Sequence, residues 1–476
     1  MLLTMPKPAL APREDAKANA SVRWALASLS LSMLLSSLGT SIANVALPTL
    51  AQAFSASFQE VQWIVLAYLL AITTLIVSVG RLGDTIGRRR LLLAGIGLFT
   101  DASVLCGAAP GLWMLIAARA AQGLGAAVMM ALTLAFVGET VSKERTGSAM
   151  GLLGTMSAIG TALGPSLGGV LIAGLGWRAI FLVKVPLGIL ALILAHRHLP
   201  ADRPAPRADR ARHDHLGMLL LALTLAAYAL AMTMGRGRFG PLNFALLSGA
   251  VLGAAVFVLV EMRAASPLIR LAMLRNRVLG TGLATSALVS TVMMATLVVG
   301  PFYLSRGLGL DAALVGLVLS VGPLVAALTA APAGRMVDRL GAPRLTIAGL
   351  AAIASGAAAL SLLPGFGVAG YVAPIVAITA GYALFQTANN TAVMSGVRAD
   401  QRGVVSGMLN LSRNLGLITG ASVMGAVFAY ASSSSDITTA PPAAVSTGMR
   451  ITFAVAAMLI VVALGIAVRS AVIDRR

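Results

Sequence analysis

Charge is scarce in this sequence: only 11% of its 476 residues are Asp, Glu, Lys or Arg. Soluble globular domains carry about 25%, so a water-soluble enzyme is excluded at the outset. Cysteine is scarcer still. The single Cys106 has no partner for an internal disulfide, and its apolar neighbours mark it as a small buried hydrophobe. Lysine is limited to Lys7, Lys17, Lys143 and Lys184. No glycine-rich loop ending in Lys-Ser/Thr occurs, which leaves direct ATP drive without support, and there is no nucleophile–base constellation. Aromatic residues make up 5% of the chain and do not interleave with a basic face, so the net charge of +19 does not describe a nucleic-acid surface. The four histidines, His196, His198, His213 and His215, gather near one linker. They form two His-x-His pairs, a spacing found in metal-binding tracts. The surrounding Arg, Pro and Asp make a solvated segment the simpler reading, and no metal site is expected.

Apolar residues are plentiful, at 58% of the chain with a mean hydropathy of +0.91. A run of about 20 apolar residues crosses a bilayer as a helix. The sequence contains fourteen such runs, at roughly 24–50, 59–79, 91–109, 112–138, 147–174, 178–196, 216–234, 242–260, 278–304, 312–333, 345–363, 370–397, 403–430 and 450–468. This is the pattern of an all-α polytopic membrane protein. Residues 1–23 are polar and of mixed charge, and the run from Trp24 is too long for the core of a cleavable signal.

An even number of crossings brings both termini to one side. With the N-terminus placed inside, twenty-seven of the 35 Lys and Arg residues lie in inner segments and five outside: Arg178, Arg236, Arg238, Arg306 and Arg450. Arg119, Lys184 and Arg413 lie within spans. This asymmetry predicts cytoplasmic termini, and it accounts for the net charge without a nucleic acid. The Arg-rich, Lys-poor composition suggests a GC-rich bacterial genome, hence a bacterial plasma membrane.

The sequence repeats itself. Gly80-Arg-Leu-Gly-Asp84-Thr-Ile-Gly87-Arg88-Arg89-Arg90 returns as Gly334-Arg-Met-Val-Asp338-Arg-Leu-Gly341-Ala-Pro-Arg344. The glycines Gly147, Gly151, Gly160 and Gly164 return as Gly403, Gly407, Gly416 and Gly420. Each copy holds the same place relative to its spans. The chain therefore divides into an N-tail (1–23), a six-helix half (24–196), a linker with an inserted helix pair (197–277), a second six-helix half (278–468) and a C-tail (469–476). Two six-helix halves related by a parallel repeat define a transporter architecture with its substrate site between them.

Those residues resemble the signatures of a known family. The Gly80–Arg90 segment resembles the loop motif of the major facilitator superfamily. Gly160-Thr-Ala-Leu-Gly164-Pro165-Ser-Leu-Gly168-Gly169 resembles its antiporter motif. Trp63-Ile-Val-Leu-Ala-Tyr68 and Trp177-Arg-Ala-Ile-Phe-Leu-Val-Lys184-Val-Pro186 resemble markers of its fourteen-helix drug:proton antiporters. The resemblance spans the whole chain and implies a major facilitator fold of six, two and six helices.

It also implies roles. Gly80, Asp84, Gly87, Arg88, Arg89 and Arg90, with Gly334, Asp338 and Gly341 in the second copy, form a latch between the halves. The glycines Gly80 and Gly87 suit tight turns. Gly160, Gly164 and Gly168 share one helix face, which allows close helix approach, and Pro165 bends the helix there. Plain tight packing explains the strip equally well; the resemblance favours an interface seal. Arg119 matches the arginine linked to proton transfer, and a strut to facing helices is its other reading. Asn44, Gln122, Met129, Gln386, Asn389 and Asn390 are candidates for the substrate cavity, or for interhelical bonds alone.

Three departures stand out. Gly39 occupies the place of the family's span-one aspartate, Lys184 that of an asparagine, and Asp101 that of an apolar residue. Asp101 and Lys184 sit at equal depth with opposite sign, which predicts a buried ion pair, with Asp101 as a substitute proton carrier in the sharper version of that reading. The function expected is export of amphipathic small molecules, drugs or biocides, in exchange for protons. The partners expected are lipid, substrate and protons, with no cofactor, no nucleic acid and no obligate protein partner. An exporter of one endogenous metabolite and a non-transporting sensor or scaffold remain as alternatives.

Overall fold

The structure, a computed structural model, describes residues 12–140, 146–202, 215–234, 240–264, 276–362, 364–395, 397, 402–432, 437 and 440–473. Among the described residues fourteen helices are long and apolar enough to cross a membrane. Spans 1 to 7 are Val22–Val45, Phe58–Ile76, Arg88–Ala108, Leu112–Phe136, Leu152–Leu175, Ala179–His198 and Leu216–Thr233. Spans 8 to 14 are Pro241–Arg263, Arg277–Gly307, Ala312–Thr329, Ala342–Leu362, Gly367–Ser395, Gly407–Ala431 and Pro442–Ala471. Among the described residues there is no strand. The helix of span 1 begins at Pro12, inside the segment the sequence assigned to a polar tail, because nothing after Pro12 interrupts helix formation until Val45. Fourteen crossings bring the two ends to one face of the bundle, called here the terminal face; the opposite one is the distal face.

The helices start and stop where local chemistry satisfies their ends. The span 2 helix opens on a capping box: Ser57 Oγ accepts from the Glu60 amide, and the Glu60 carboxylate accepts from the Ser57 amide at 2.7 Å. In the second copy Asp311 does the same work for span 10, accepting from the Leu314 amide at 2.9 Å. Both helices also end alike, on Gly87 and Gly341, with φ of +104° and +84°. A Cβ is strained in that region, so glycine is required there.

Packing is duplicated as well. Span 1 packs on spans 4, 5 and 6, span 2 on 4, and span 3 on 4 and 6; span 9 packs on 13 and 14, span 10 on 12, and span 11 on 12 and 14. Between these groups span 5 packs on span 10 and span 2 on span 13. Span 7 lies beside that seam and touches both groups. Trp63 Nε1 of span 2 donates to Thr233 Oγ1 at 3.1 Å, and the Tyr228 hydroxyl donates to Thr419 Oγ1 of span 13 at 3.2 Å. Span 8 rests on span 7, with Phe244, Val251 and Leu252 exposed; apolar exposure on that scale suits a lipid environment.

Candidate transport machinery

The duplicated motif is not an extended loop. Gly80 to Ile86 continue the helix that begins at Phe58, and Gly334 to Leu340 continue the one from Ala312. Only Gly87 and Gly341 make the turn, so the tight turn expected at Gly80 is absent. Gly80 and Asp84 are helical, and their surroundings lie outside the described residues. The Arg88 side chain packs close to Gly83, where a Cβ would stand 3.2 Å from Arg88 Cγ. The following helix is capped from a distance. Asp202, in the linker after span 6, accepts from the Arg89 and Arg90 amides at 2.7 and 3.2 Å. Arg89 Nη2 donates to the His196 carbonyl. Arg90 and Asp338 are exposed. Asp202 escaped the sequence reading because the capping acid lies more than a hundred residues from the amides it serves.

The span 5 glycines face two ways. Gly160, Gly164 and Gly168 abut span 1: a Cβ on Gly164 would stand 2.9 Å from the Ile42 amide nitrogen, and one on Gly168 2.6 Å from Val45 Cγ1. Ser37 and Ser157 share a hydrogen bond of 2.7 Å on the same contact. Gly169 turns to span 10 instead, where a Cβ would stand 2.9 Å from the Gly316 Cα. A Cβ on Gly316 would in turn meet the Pro165 carbonyl at 2.5 Å. The strip therefore fixes span 5 to span 1, and only Gly169 and Pro165 join the crossing with the second group. Gly416 and Gly420 repeat the first contact against Ala287 and Thr291 of span 9.

Arg119 is fully buried at the centre of the first group. Its Nε donates to the Ile64 carbonyl at 3.0 Å, and its Nη1 to the Gly39 carbonyl at 3.1 Å and to Gln122 Oε1 at 2.6 Å. Gln122 Nε2 donates on to Ser103 Oγ at 2.6 Å. The guanidinium lies 4.1 Å over the Tyr68 ring, and the Tyr68 hydroxyl donates to the Ser36 carbonyl at 2.9 Å. That hydroxyl fills the room a side chain at Gly39 would need, since a Cβ there would stand 2.9 Å from it. Tyr68 thus fills the space beside Gly39, and carbonyl oxygens rather than a carboxylate face Arg119 there.

The expected Asp101–Lys184 ion pair does not form. Lys184 is fully buried, with Nζ 5.0 Å from the Phe181 ring centre and 5.7 Å from that of Phe99, and it has no hydrogen-bond partner among the described residues. Asp101 is exposed on the outer face of span 3 beside Leu98 and Leu105. Equal depth was the wrong criterion. At about 100° per residue, Asp101 lies roughly 200° around the helix from the inward Phe99.

A cavity of about 210 Å³ lies among spans 9, 12 and 13. Gln386, Asn389 and Asn390 line it, together with Ser286, Asn410 and Arg413. Tyr382 and Phe385 supply flat apolar walls. Asn389 also donates to the Gly282 carbonyl at 3.2 Å. The other three candidates do not line this cavity. Met129 is fully buried in the core; Gln122 is held by Arg119 and Ser103; Asn44 donates to the Thr40 carbonyl of its own helix at 3.0 Å.

The sequence reading missed the distal seam. Phe58 of span 2 sits between Phe302 and Phe428 of the second group, with ring centres 4.8 and 5.6 Å away. Gln62 Nε2 donates to the Ala421 carbonyl at 2.8 Å across the same seam. Isolated phenylalanines in apolar helices carry no periodic signal that could reveal such a cluster. Among the described residues no group of metal-ligating side chains is found; His213 lies outside them.

The comparisons agree with this architecture. The family model for the Major Facilitator Superfamily matches residues 29–421. Multidrug resistance protein Stp of Mycobacterium tuberculosis is 32% identical over 401 residues, covering 82% of this chain and 72% of the relative. Riboflavin transporter RibZ of Clostridioides difficile is 29% identical over 400 residues, covering 84% of this chain and 86% of the relative. The crystal structure of a bacterial homologue of the human lysosomal transporter Spinster, inward-facing and occupied, shares the fold with a TM-score of 0.70 at 16% identity, over 97% of this chain and 98% of that one. The chain belongs to the Major Facilitator Superfamily and is a membrane transporter, not an enzyme.

Proposed function

We propose that this transporter exports amphipathic small molecules, drug-like compounds among them, in exchange for protons across a bacterial inner membrane. The terminal face is cytoplasmic on this reading, as the arginine asymmetry predicts. The observation that carries it is the pairing of a closed distal seam with a mixed polar and apolar cavity. Phe58, Gln62 and Gly169 seal the seam, and the cavity draws on the halves of spans 12 and 13 nearer the terminal face. Such an arrangement suits alternating access, with the halves 24–196 and 278–468 rocking about the substrate. The Gly87 and Gly341 turns would latch it, with Asp84, Arg88 and Asp338 as contacts, in the state opposite to this one.

The resemblance to Stp, a multidrug resistance protein, supports a broad substrate range; the resemblance to RibZ, a riboflavin transporter, supports a single metabolite as the second reading. Proton coupling needs a group that gains and loses a proton as the halves move. Arg119 and its neighbours occupy the place where the family resemblance locates that step, and Lys184 is a second fully buried cation among the described residues of the first half. Substrate-triggered collapse of an imposed pH gradient in inside-out vesicles tests the proposal. Collapse with several unrelated amphiphiles is expected. Collapse with one metabolite alone would favour the second reading, and a gradient indifferent to every compound, with folded protein present, would defeat both.

A further inference from the structure

Among the described residues, the fully buried charged side chains of the two six-helix halves are the cations Arg119 and Lys184, while the buried acid Glu261 lies near the end of span 8. Arg119, Lys184 and Arg413 all lie within spans, and none pairs with a carboxylate among the described residues. Arg119 Nε and Nη1 donate to neutral oxygens, and its Nη2 is buried with no acceptor among the described residues and away from any cavity the transport reading uses. Asp101, the acid nearest in depth to Lys184, faces outward. An ionised group in the membrane interior is costly, about 2.5–3.5 kcal/mol on insertion scales, and usually has a partner.

Arg413 is the cation placed to receive a ligand. It lines the cavity, and its Nε is buried with no acceptor among the described residues. Among the described residues no Asp or Glu lines the cavity. Gln386 and Asn390 also line it. Tyr382 and Phe385 bring aromatic rings to the same space. In the repeat, Arg413 stands where Ser157 bonds Ser37 in the first half. The hydroxyl contact that joins two helices there is replaced here by a guanidinium whose Nε has no acceptor.

We infer that this cavity binds an organic anion built on a planar ring, its carboxylate or equivalent acceptor group meeting Arg413 and its ring lying against Tyr382 and Phe385. A guanidinium offers parallel N–H donors that match a carboxylate in two bonds, and the amides of Gln386 and Asn390 recognise further polar substituents. A volume near 210 Å³ is below the roughly 300–1,000 Å³ of drug-sized pockets, so a one- or two-ring acid is the right scale. An organic cation finds no counter-charge among the described residues that line the cavity and meets Arg413 there. The inference rests on the transport reading for the cavity being a substrate site; the binding it describes does not depend on transport.

The test uses purified full-length protein and three probes that share one ring system: naphthoate, naphthamide and naphthylmethylammonium. Equilibrium binding is measured on wild type, Arg413→Gln and Arg413→Lys, each checked for helical content and monodispersity. Naphthoate is expected to bind tightest to wild type. Loss of the charge-assisted bonds should weaken it about tenfold or more in Arg413→Gln, with an intermediate loss in Arg413→Lys. The inference is overturned if the cation binds as tightly as the anion, if folded variants keep wild-type affinity for naphthoate, or if no probe binds folded wild type. Should Arg413→Gln fail to fold, the order of the three probes on wild type still decides. Naphthoate that binds but does not move under a pH gradient would sink the transport reading and leave the anion site standing. A cation transported under that gradient with no binding of naphthoate would do the reverse.

Discussion

The Tyr68 hydroxyl stands 2.9 Å from the point where a Cβ on Gly39 would lie. The two residues meet at the position where the family resemblance places an aspartate. Gly39 lends its carbonyl to Arg119, and Tyr68 fills the volume while reaching the Ser36 carbonyl. Restoring the acid alone therefore creates a steric conflict in a closed core. Gly39→Asp is expected to lower stability by about 1–3 kcal/mol, the usual cost of overpacking. Removing the conflicting oxygen in Gly39→Asp/Tyr68→Phe should recover part of that loss, because Asp would then pair with Arg119. Thermal unfolding of the two variants and the Tyr68→Phe control checks the coupling; additive effects would contradict it.

Lys184 and Asp101 supply a second prediction, opposite to the one their spacing suggested. An unpartnered buried ammonium opposes folding, so Lys184→Met should raise the unfolding midpoint, by about 1 kcal/mol or more in stability. Asp101→Asn, on the exposed face, should change it little, and the two effects should add within about 0.5 kcal/mol. A double-mutant cycle on thermal stability measures this. A large coupling would show that the two side chains meet.

The cap on span 3 gives a third. Asp202 accepts from two amides at the start of that helix, where a carboxylate also opposes the helix dipole. Asp202→Ala should cost about 1–2 kcal/mol and speed hydrogen exchange at residues 88–92, with Asp202→Asn retaining much of the protection. Exchange mass spectrometry reads the effect directly. Unchanged protection in Asp202→Ala would mean that the linker does not cap the helix.

The distal seam gives a fourth. Phe58 is fully buried there, so Phe58→Cys in a Cys106→Ser background should react slowly with an impermeant maleimide applied from the distal side. A Cβ on Gly316 would meet the Pro165 carbonyl, and Gly316→Val should therefore wedge the crossing apart and speed labelling about tenfold, equivalent to about 1.4 kcal/mol in the opening equilibrium. Equal rates with and without the wedge would contradict a rocking seam at this crossing.

What the sequence disclosed follows from the bilayer. Apolar runs of fixed length expose helices one by one, and the duplicated Gly87 and Gly341 announced turns that only glycine makes comfortably. Side-chain partners were harder. Asp101 and Lys184 matched in depth along their helices, but the angle around each helix decided the contact, and uniformly apolar spans offer no amphipathic face from which to read it. Met129 and Asn44 have the chemistry of cavity residues, yet packing buried them. Asp202 and Phe58 act across long stretches of chain, where no local spacing could have marked them. Gln386, Asn389 and Asn390 were named from polarity alone, and the fold brings them together with Arg413.

The most direct test of the account follows substrate and protons together. Purified protein is reconstituted in vesicles containing a pH-sensitive dye, an inwardly or outwardly directed pH gradient is imposed, and naphthoate movement is recorded with the dye signal. Each flux is expected to run opposite to the other, reversing the gradient should reverse both, and an ionophore that collapses the gradient should abolish the uphill component. Naphthoate movement that ignores the gradient, or that proceeds with no matching dye signal, would contradict proton exchange as the driving step.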